Sequence, residues 1–365
     1  MAFVENRIMN FKCIKNKVII KLISKKYMRN LINIIISTRA NKIGDVILSL
    51  PLAALLKQRF PSLVVGFIGT DYTRVIIEAC AYVDVFIDEQ DFLQQPVTLN
   101  GLPPECIVHA IALPHIARRA KQLHIPLRIG TSRRFYHWLT CNRFVWLNRK
   151  SSPLHEAQLN IQMLKPFDIT TALSLPDIAD LFSLSESSFL PPLGLFLDAT
   201  KFKLIIHAKS GGSAHEWPLH HYINLIKQLD VECFQIFISG TEDERMALQP
   251  LLDAVGDKVT DIIGSLNLPD FMGLIAASDG LVACSTGPLH IAAALGKYAF
   301  GIYAPARPIF PQRWGPIGKK AHVFVLEKKC NACKKPGTPC LCIQSIQPNT
   351  IKNALDLAYS QKFNI

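Results

Sequence analysis

No run of about eighteen or more uncharged apolar residues occurs in this 365-residue chain, so no transmembrane helix is expected. The first thirty residues lack an uninterrupted apolar core, because lysines enter every apolar stretch. No signal peptide is therefore expected, and the chain is placed in the cytoplasm. In that compartment the ten cysteines are expected as thiols or metal ligands, not disulfides. Acid is also scarce: 28 Asp and Glu face 40 Lys and Arg, a formal charge of +12. A basic protein seeks nucleic acid, anionic lipid or acidic small substrates. Repeats are missing beyond an alternation of strand-like and helix-like segments.

Acid is scarcest at the N-terminus. Residues 1–30 hold Arg7, Lys12, Lys15, Lys17, Lys21, Lys25, Lys26 and Arg29 against Glu5 alone. Ile8, Phe11, Ile14, Val18 and Leu22 share one side of a helical projection, with Lys15 and Lys26 intruding. Such a segment can lie on an anionic membrane surface. The competing reading is a bland extension.

What is present is 49% hydrophobic and 19% charged residues, enough for two domains with their own cores. The apolar run Gly280-Leu281-Val282-Ala283 reads as a buried strand. Ser285-Thr286-Gly287-Pro288 then reads as a tight turn, and Leu289-His290-Ile291-Ala292-Ala293-Ala294-Leu295 as a helix. The first N–H groups of a helix have no internal partners and carry positive potential, so a phosphate can sit there. Ser285 and Thr286 add hydroxyl donors, and His290 is in reach. An ordinary strand-to-helix turn would look the same. Ile35 to Pro51 repeats the design. Gly44 allows close backbone approach, and Asp45 opens an amphipathic helix to about Arg59. Asp45 is either a helix N-cap or a carboxylate at a cleft mouth, able to accept a proton.

Strands are expected at 31–36, 64–68, 85–87 and 106–110, with helices at 46–58, 73–79 and 116–123 between them. A second series has strands at 203–207, 234–239, 261–263, 280–283 and near 298–303. Its helices are at 220–229, 242–255, 268–277 and 289–295, and a final helix spans 349–361. This alternation implies two parallel sheets. The expected organisation is a basic extension 1–30, a first Rossmann-like domain 31–185, a second 195–345 and a C-terminal helix 346–365. Residues 128–150 break the alternation. Arg128, Arg133, Arg134, Arg143, Arg149 and Lys150 are interleaved there with Phe135, Tyr136, Trp138, Phe144 and Trp146. Such interleaving could hold single-stranded nucleic acid or an anionic glycan, or be a surface helix with its aromatics in the core.

Several short motifs, in order and spacing, resemble glycosyltransferase family 9, the lipopolysaccharide heptosyltransferases and their relatives. They are Gly44-Asp45-Val46-Ile47-Leu48-Ser49-Leu50-Pro51, His207 with Ser210-Gly211-Gly212-Ser213, Glu216-Trp217-Pro218, Ser239-Gly240-Thr241-Glu242 and Ser285 to Leu295. The resemblance spans roughly residues 31–350. It implies an α/β GT-B fold: two Rossmann-like domains facing across a cleft, the final helix often crossing back. It also implies inverting transfer of heptose or a related sugar from a nucleotide sugar, expected to be ADP-heptose, to a lipopolysaccharide core precursor. Asp45 occupies the position of the family's base. Ser210, Gly211, Ser213, His215, Glu242, Ser285, Thr286, Gly287 and His290 occupy donor-side positions, with Glu244 an alternative to Glu242. Arg39, Lys42, Arg128, Arg133 and Arg134 are the expected acceptor contacts. Partners are then the donor, the anionic acceptor and the cytoplasmic face of the inner membrane, where the protein would be peripheral; no nucleic acid is expected. No cofactor is expected for catalysis.

Two departures fall on the donor side. Ser285 stands where heptosyltransferases commonly carry Asp, and His215 where they carry Lys or Arg, with Lys209 and Lys201 nearby. Cys330, Cys333, Cys340 and Cys342 have a spacing that could hold a structural zinc. Two rival readings remain: a basic RNA-binding protein using residues 128–150, and a family member that binds nucleotide without catalysis.

Overall fold

A computed structural model describes residues 31–185, 189–327 and 340–364. The basic segment 1–30, Cys330 and Cys333 lie outside the described residues. Two six-stranded parallel sheets organise the chain. The first contains β1 (Asn33–Ser37), β2 (Val64–Gly69), β3 (Val85–Asp88), β4 (Cys106–His109), β5 (Leu127–Thr131) and β6 (Arg143–Val145), in the order β3-β2-β1-β4-β5-β6. The second contains β7 (Phe202–His207), β8 (Phe234–Ser239), β9 (Val259–Asp261), β10 (Gly280–Cys284), β11 (Tyr298–Tyr303) and β12 (Ala321–Val325), in the order β12-β11-β10-β7-β8-β9. Counted from its own first strand, each sheet has the same doubly wound order. Each therefore reverses direction once, between β1 and β4 and between β7 and β10, and ligands collect at the carboxyl ends of such switch points.

The apolar runs explain the strands. Ile34, Ile35 and Ile36 are fully buried, as are Leu204, Ile205 and Ile206. Helices cover both faces of these sheets, so the strands read as continuous β-branched runs without alternation. Each such side chain contributes about 1.5–3 kcal/mol on burial.

Three departures from the sequence reading stand out. The helix expected at 46–58 is two helices, Ile43–Ile47 and Pro51–Arg59. Pro51 has no N–H to bond back, so the ladder breaks although Leu50 keeps helical angles (φ −56°, ψ −37°). Residues 128–150 continue the alternation as β5, a Phe135–Thr140 helix and β6. The final helix, Pro348–Phe363, does not cross back. It packs on the Leu219–Gln228 helix, with Gln361 bonded to Tyr298 Oη (2.8 Å) and Lys362 to Asp279 (2.7 Å) in the second domain. The connection between the domains is pinned at Gly273, where a Cβ would lie 1.9 Å from the Leu190 carbonyl oxygen.

Candidate active site at the domain interface

β1 ends at Ser37, and a short loop carries the chain into the Ile43–Ile47 helix. Lys42 precedes that helix in an extended conformation (φ −119°), with no side-chain cap bond. Asp45 lies inside the first turn, so it is not the N-cap. Its carboxylate takes Arg39 in a two-point contact, Nε to Oδ2 at 2.8 Å and Nη2 to Oδ1 at 3.1 Å. Its carbonyl accepts Ser49 Oγ (2.7 Å), and Ser49 in turn accepts from Asn160 Nδ2 (3.1 Å). Asp45 is 4% exposed. Burial raises its carboxyl from 3.8 to about 6; Arg39 opposes that rise, Glu156 adds to it, and Arg149 opposes it weakly.

Glu156, 3% exposed, is the centre of a buried ion cluster. It pairs with Arg149 of its own domain and with Arg313 Nε of the other (2.5 Å). Arg149 also donates to Asn160 Oδ1 (3.0 Å), and so joins the cluster to the Asp45 turn. Beside it, His155 Nε2 meets the Gly315 carbonyl (3.0 Å) and its Nδ1 accepts from the Ala157 N–H (3.2 Å). Burial lowers the His155 pKa to about 4, so the ring is neutral and Nε2 carries the proton. The domains are thus joined by buried polar groups next to Asp45.

The opposite wall is the turn after β10. Thr286 is the N-cap of the Gly287–Ala294 helix (φ −133°), but its side chain makes no cap bond. Its Oγ1 is buried without a hydrogen-bond partner, and so is His290 Nδ1. Burial lowers the His290 pKa to about 3, which keeps the imidazole neutral. The two helix starts abut: a Cβ on Gly44 would stand 3.2 Å from His290 Cδ2, and one on Gly287 would stand 2.8 Å from Ile43 Cβ. Glycine is needed at Gly287 because the Ile43 side chain of the other domain packs so close. Between the walls lies a cavity of about 1020 Å³.

A sequence model of glycosyltransferase family 9 (heptosyltransferase) matches residues 125–344. The chain belongs to glycosyltransferase family 9. A Haemophilus influenzae protein known only by the general name of glycosyltransferase is 26% identical over 78% of this chain and 86% of its own. Lipopolysaccharide heptosyltransferase 2 of Salmonella typhimurium is 29% identical, over 41% of this chain and 43% of that enzyme. The ADP-heptose lipopolysaccharide heptosyltransferase II of Escherichia coli superposes with a TM-score of 0.68, covering 90% of this chain and 99% of that one at 20% identity. The fold is therefore GT-B, and the protein is a glycosyltransferase.

In this family 9 chain the cavity gathers most of the expected site. Asp45, Arg39 and Lys42 line one side; Ser210, Gly211, Ser213, Glu242, Ser285, Thr286, Gly287 and His290 line the other. Glu242 accepts from Arg245 Nε (3.1 Å), while Glu244 caps Thr241 N–H (3.0 Å). Ser210 Oγ donates to Glu216 (3.0 Å), which also takes Lys209 (2.5 Å). Six expected residues stand elsewhere. His215 is buried outside the lining. Arg128 donates to the Thr140 carbonyl (2.6 Å) and the Ile125 carbonyl, so its guanidinium braces the β5–helix unit and does not reach the cavity. Arg133 and Arg134 are exposed outside the lining. Cys340 and Cys342 are buried in the second domain's core. Among the described residues no cluster of three or more His, Cys, Asp or Glu could hold a metal ion.

The sequence reading did not single out Glu156, Arg313 or the role of Arg149. One signal was available: Glu156 is the first acid after Glu105. An acid alone in so basic a stretch is a candidate for a buried partner.

Proposed function

We propose that the protein is an inverting glycosyltransferase that moves heptose or a related sugar from ADP-heptose to a lipopolysaccharide core precursor. The observation that carries this reading is the juxtaposition across one cleft of a buried carboxylate, Asp45, and two unpartnered buried polar atoms, Thr286 Oγ1 and His290 Nδ1. A base and a ligand-seeking turn on facing walls suit a single displacement. Asp45 takes the proton of the acceptor hydroxyl as its oxygen bonds the anomeric carbon, and the bond from that carbon to the diphosphate oxygen breaks. The leaving diphosphate takes up the electron pair. It lies against the N–H groups that open the Gly287–Ala294 helix, with the Thr286 hydroxyl as an added donor. Attack opposite the leaving group inverts the anomeric centre. The strand ends at Ser239–Thr241, with Glu242 and Phe271, line the part of the cavity that would take the nucleoside. Ser285 offers a hydroxyl in place of a carboxylate to the donor sugar.

The test is to incubate the protein with a panel of nucleotide sugars and truncated core acceptors and read products by mass spectrometry. A heptose adduct with ADP-heptose supports the reading; a product only with another donor reassigns the sugar, and none with any donor overturns it. Thr286→Val should weaken ADP binding by about 1–3 kcal/mol, the worth of a hydrogen bond to a charged group. Calorimetry giving equal affinity for both proteins would place the diphosphate elsewhere.

The proposed acceptor is membrane-anchored, so the protein would work at the cytoplasmic face of a membrane. Among the described residues no helix is long and apolar enough to cross one.

A further inference from the structure

Residues 106–155 contain nine Lys or Arg and no Asp or Glu. In the same region four large apolar side chains stand out of the protein: Phe135 is 80% exposed, Trp146 77%, Leu139 60% and Trp138 52%. They are held in place. Trp138 stacks on Phe144 (4.6 Å between ring centroids) and sits edge-on to Trp146 (6.5 Å), and its Nε1 donates to the Ser132 carbonyl (2.9 Å). The adjoining Pro114–Gln122 helix exposes Arg118 and Lys121 beside them. An apolar cluster of this size on a surface is a place of interaction.

Its location is set by the sheet. Arg133 to Phe135 follow the carboxyl end of β5, and Trp146 follows that of β6. All strands of the sheet are parallel, so this is the edge from which β1 delivers Asp45. Trp146 is three residues from Arg149, a member of the Asp45–Glu156 group.

We propose that Phe135, Trp138, Leu139 and Trp146 form a docking surface for an anionic lipid bilayer, with Arg118, Lys121, Arg133 and Arg134 at the headgroups. Rigid aromatic rings suit the interface between headgroups and acyl chains, and lysines and arginines around them attract an anionic leaflet. The surface orients the cleft: a lipid-linked acceptor lying in the docked leaflet presents its sugar end toward Asp45. That part of the argument rests on the function proposed above.

The test uses the full chain and vesicles free of acceptor, of phosphatidylcholine alone or mixed with phosphatidylglycerol. The wild type should float with the anionic vesicles, less so at high salt. Its tryptophan emission should shift to the blue on binding, and Trp146→Phe should remove most of that shift. The triple variant Phe135→Ser/Leu139→Ser/Trp146→Ser should partition about tenfold or more weakly, since it removes most of the exposed apolar area. Arg118→Gln/Lys121→Gln should weaken flotation on anionic vesicles only. The triple variant should keep its melting temperature and its transfer to a delipidated acceptor, because its side chains are largely outside the core. The proposal is overturned if the triple variant floats as well as the wild type. It is also overturned if the wild type ignores vesicles and is instead retained on single-stranded RNA through these residues. A protein that floats as described but transfers no sugar leaves the surface standing and removes the proposed function.

Discussion

Asp45→Asn is expected to lower kcat by about 10²–10⁴-fold, the usual worth of a positioned base, with ADP affinity nearly unchanged. The amide keeps the volume and one acceptor for Arg39 but cannot take a proton. Stability should move the other way. The folded chain binds the Asp45 proton more tightly than the unfolded chain, about 6 against 3.8. Ionisation therefore destabilises: the penalty is absent below the unfolded value, grows between the two, and is complete above about 6. At pH 8 it is on the order of 3 kcal/mol, and the asparagine variant escapes it. Its melting temperature should exceed that of the wild type at pH 8, with little difference near pH 4. A variant retaining more than about a tenth of wild-type kcat would remove Asp45 from the base role.

Glu156→Ala is expected to be the most damaging substitution to the fold. It strands Arg149 and Arg313 without their shared carboxylate, in a site Glu156 itself leaves only 3% exposed. Breaking a buried pair from one side costs about 3–5 kcal/mol. The expected loss is roughly 6–15 °C in melting temperature. Because Arg313 belongs to the second domain, the loss should also loosen the domains, seen as faster amide exchange at Trp314 and Gly315. Glu156→Gln keeps the shape and should cost less. A melting temperature within about 1 °C of wild type for Glu156→Ala would mean the cluster is solvated in solution.

Much of this was legible in the chain. Uninterrupted apolar runs such as Ile34–Ile36 belong to strands covered on both faces, and their alternation with helical periods implies the two sheets. The turn at Ser285–Gly287 and the Gly44-Asp45 step were readable because loops after parallel strands must hold small polar residues where a ligand approaches. Sugar transfer itself was legible only through family resemblance, since a strand-turn-helix phosphate site serves many reactions. Other features depend on contacts far apart in the chain. Nothing near Glu156 announces that Arg313, well over a hundred residues on, will neutralise it. Arg128 reads as a ligand-binding cation until the structure shows it bonded to two backbone carbonyls. The aromatic residues after β5 read equally as core or surface, because a short edge helix has too few turns to show which face is buried.

The most direct measurement of the central claim is the pH dependence of kcat/KM in wild type, Arg39→Gln and Glu156→Gln. A base must be ionised to act, so the wild-type rate should rise with pH through about 6. Arg39 lowers the Asp45 pKa, so removing its charge should move that rise to higher pH. Glu156 raises it, so Glu156→Gln should move the rise to lower pH. Opposite shifts in the two variants identify the titrating group as Asp45. A rise that stays in place in both would contradict the account, because the group controlling the rate would then lie away from this cleft.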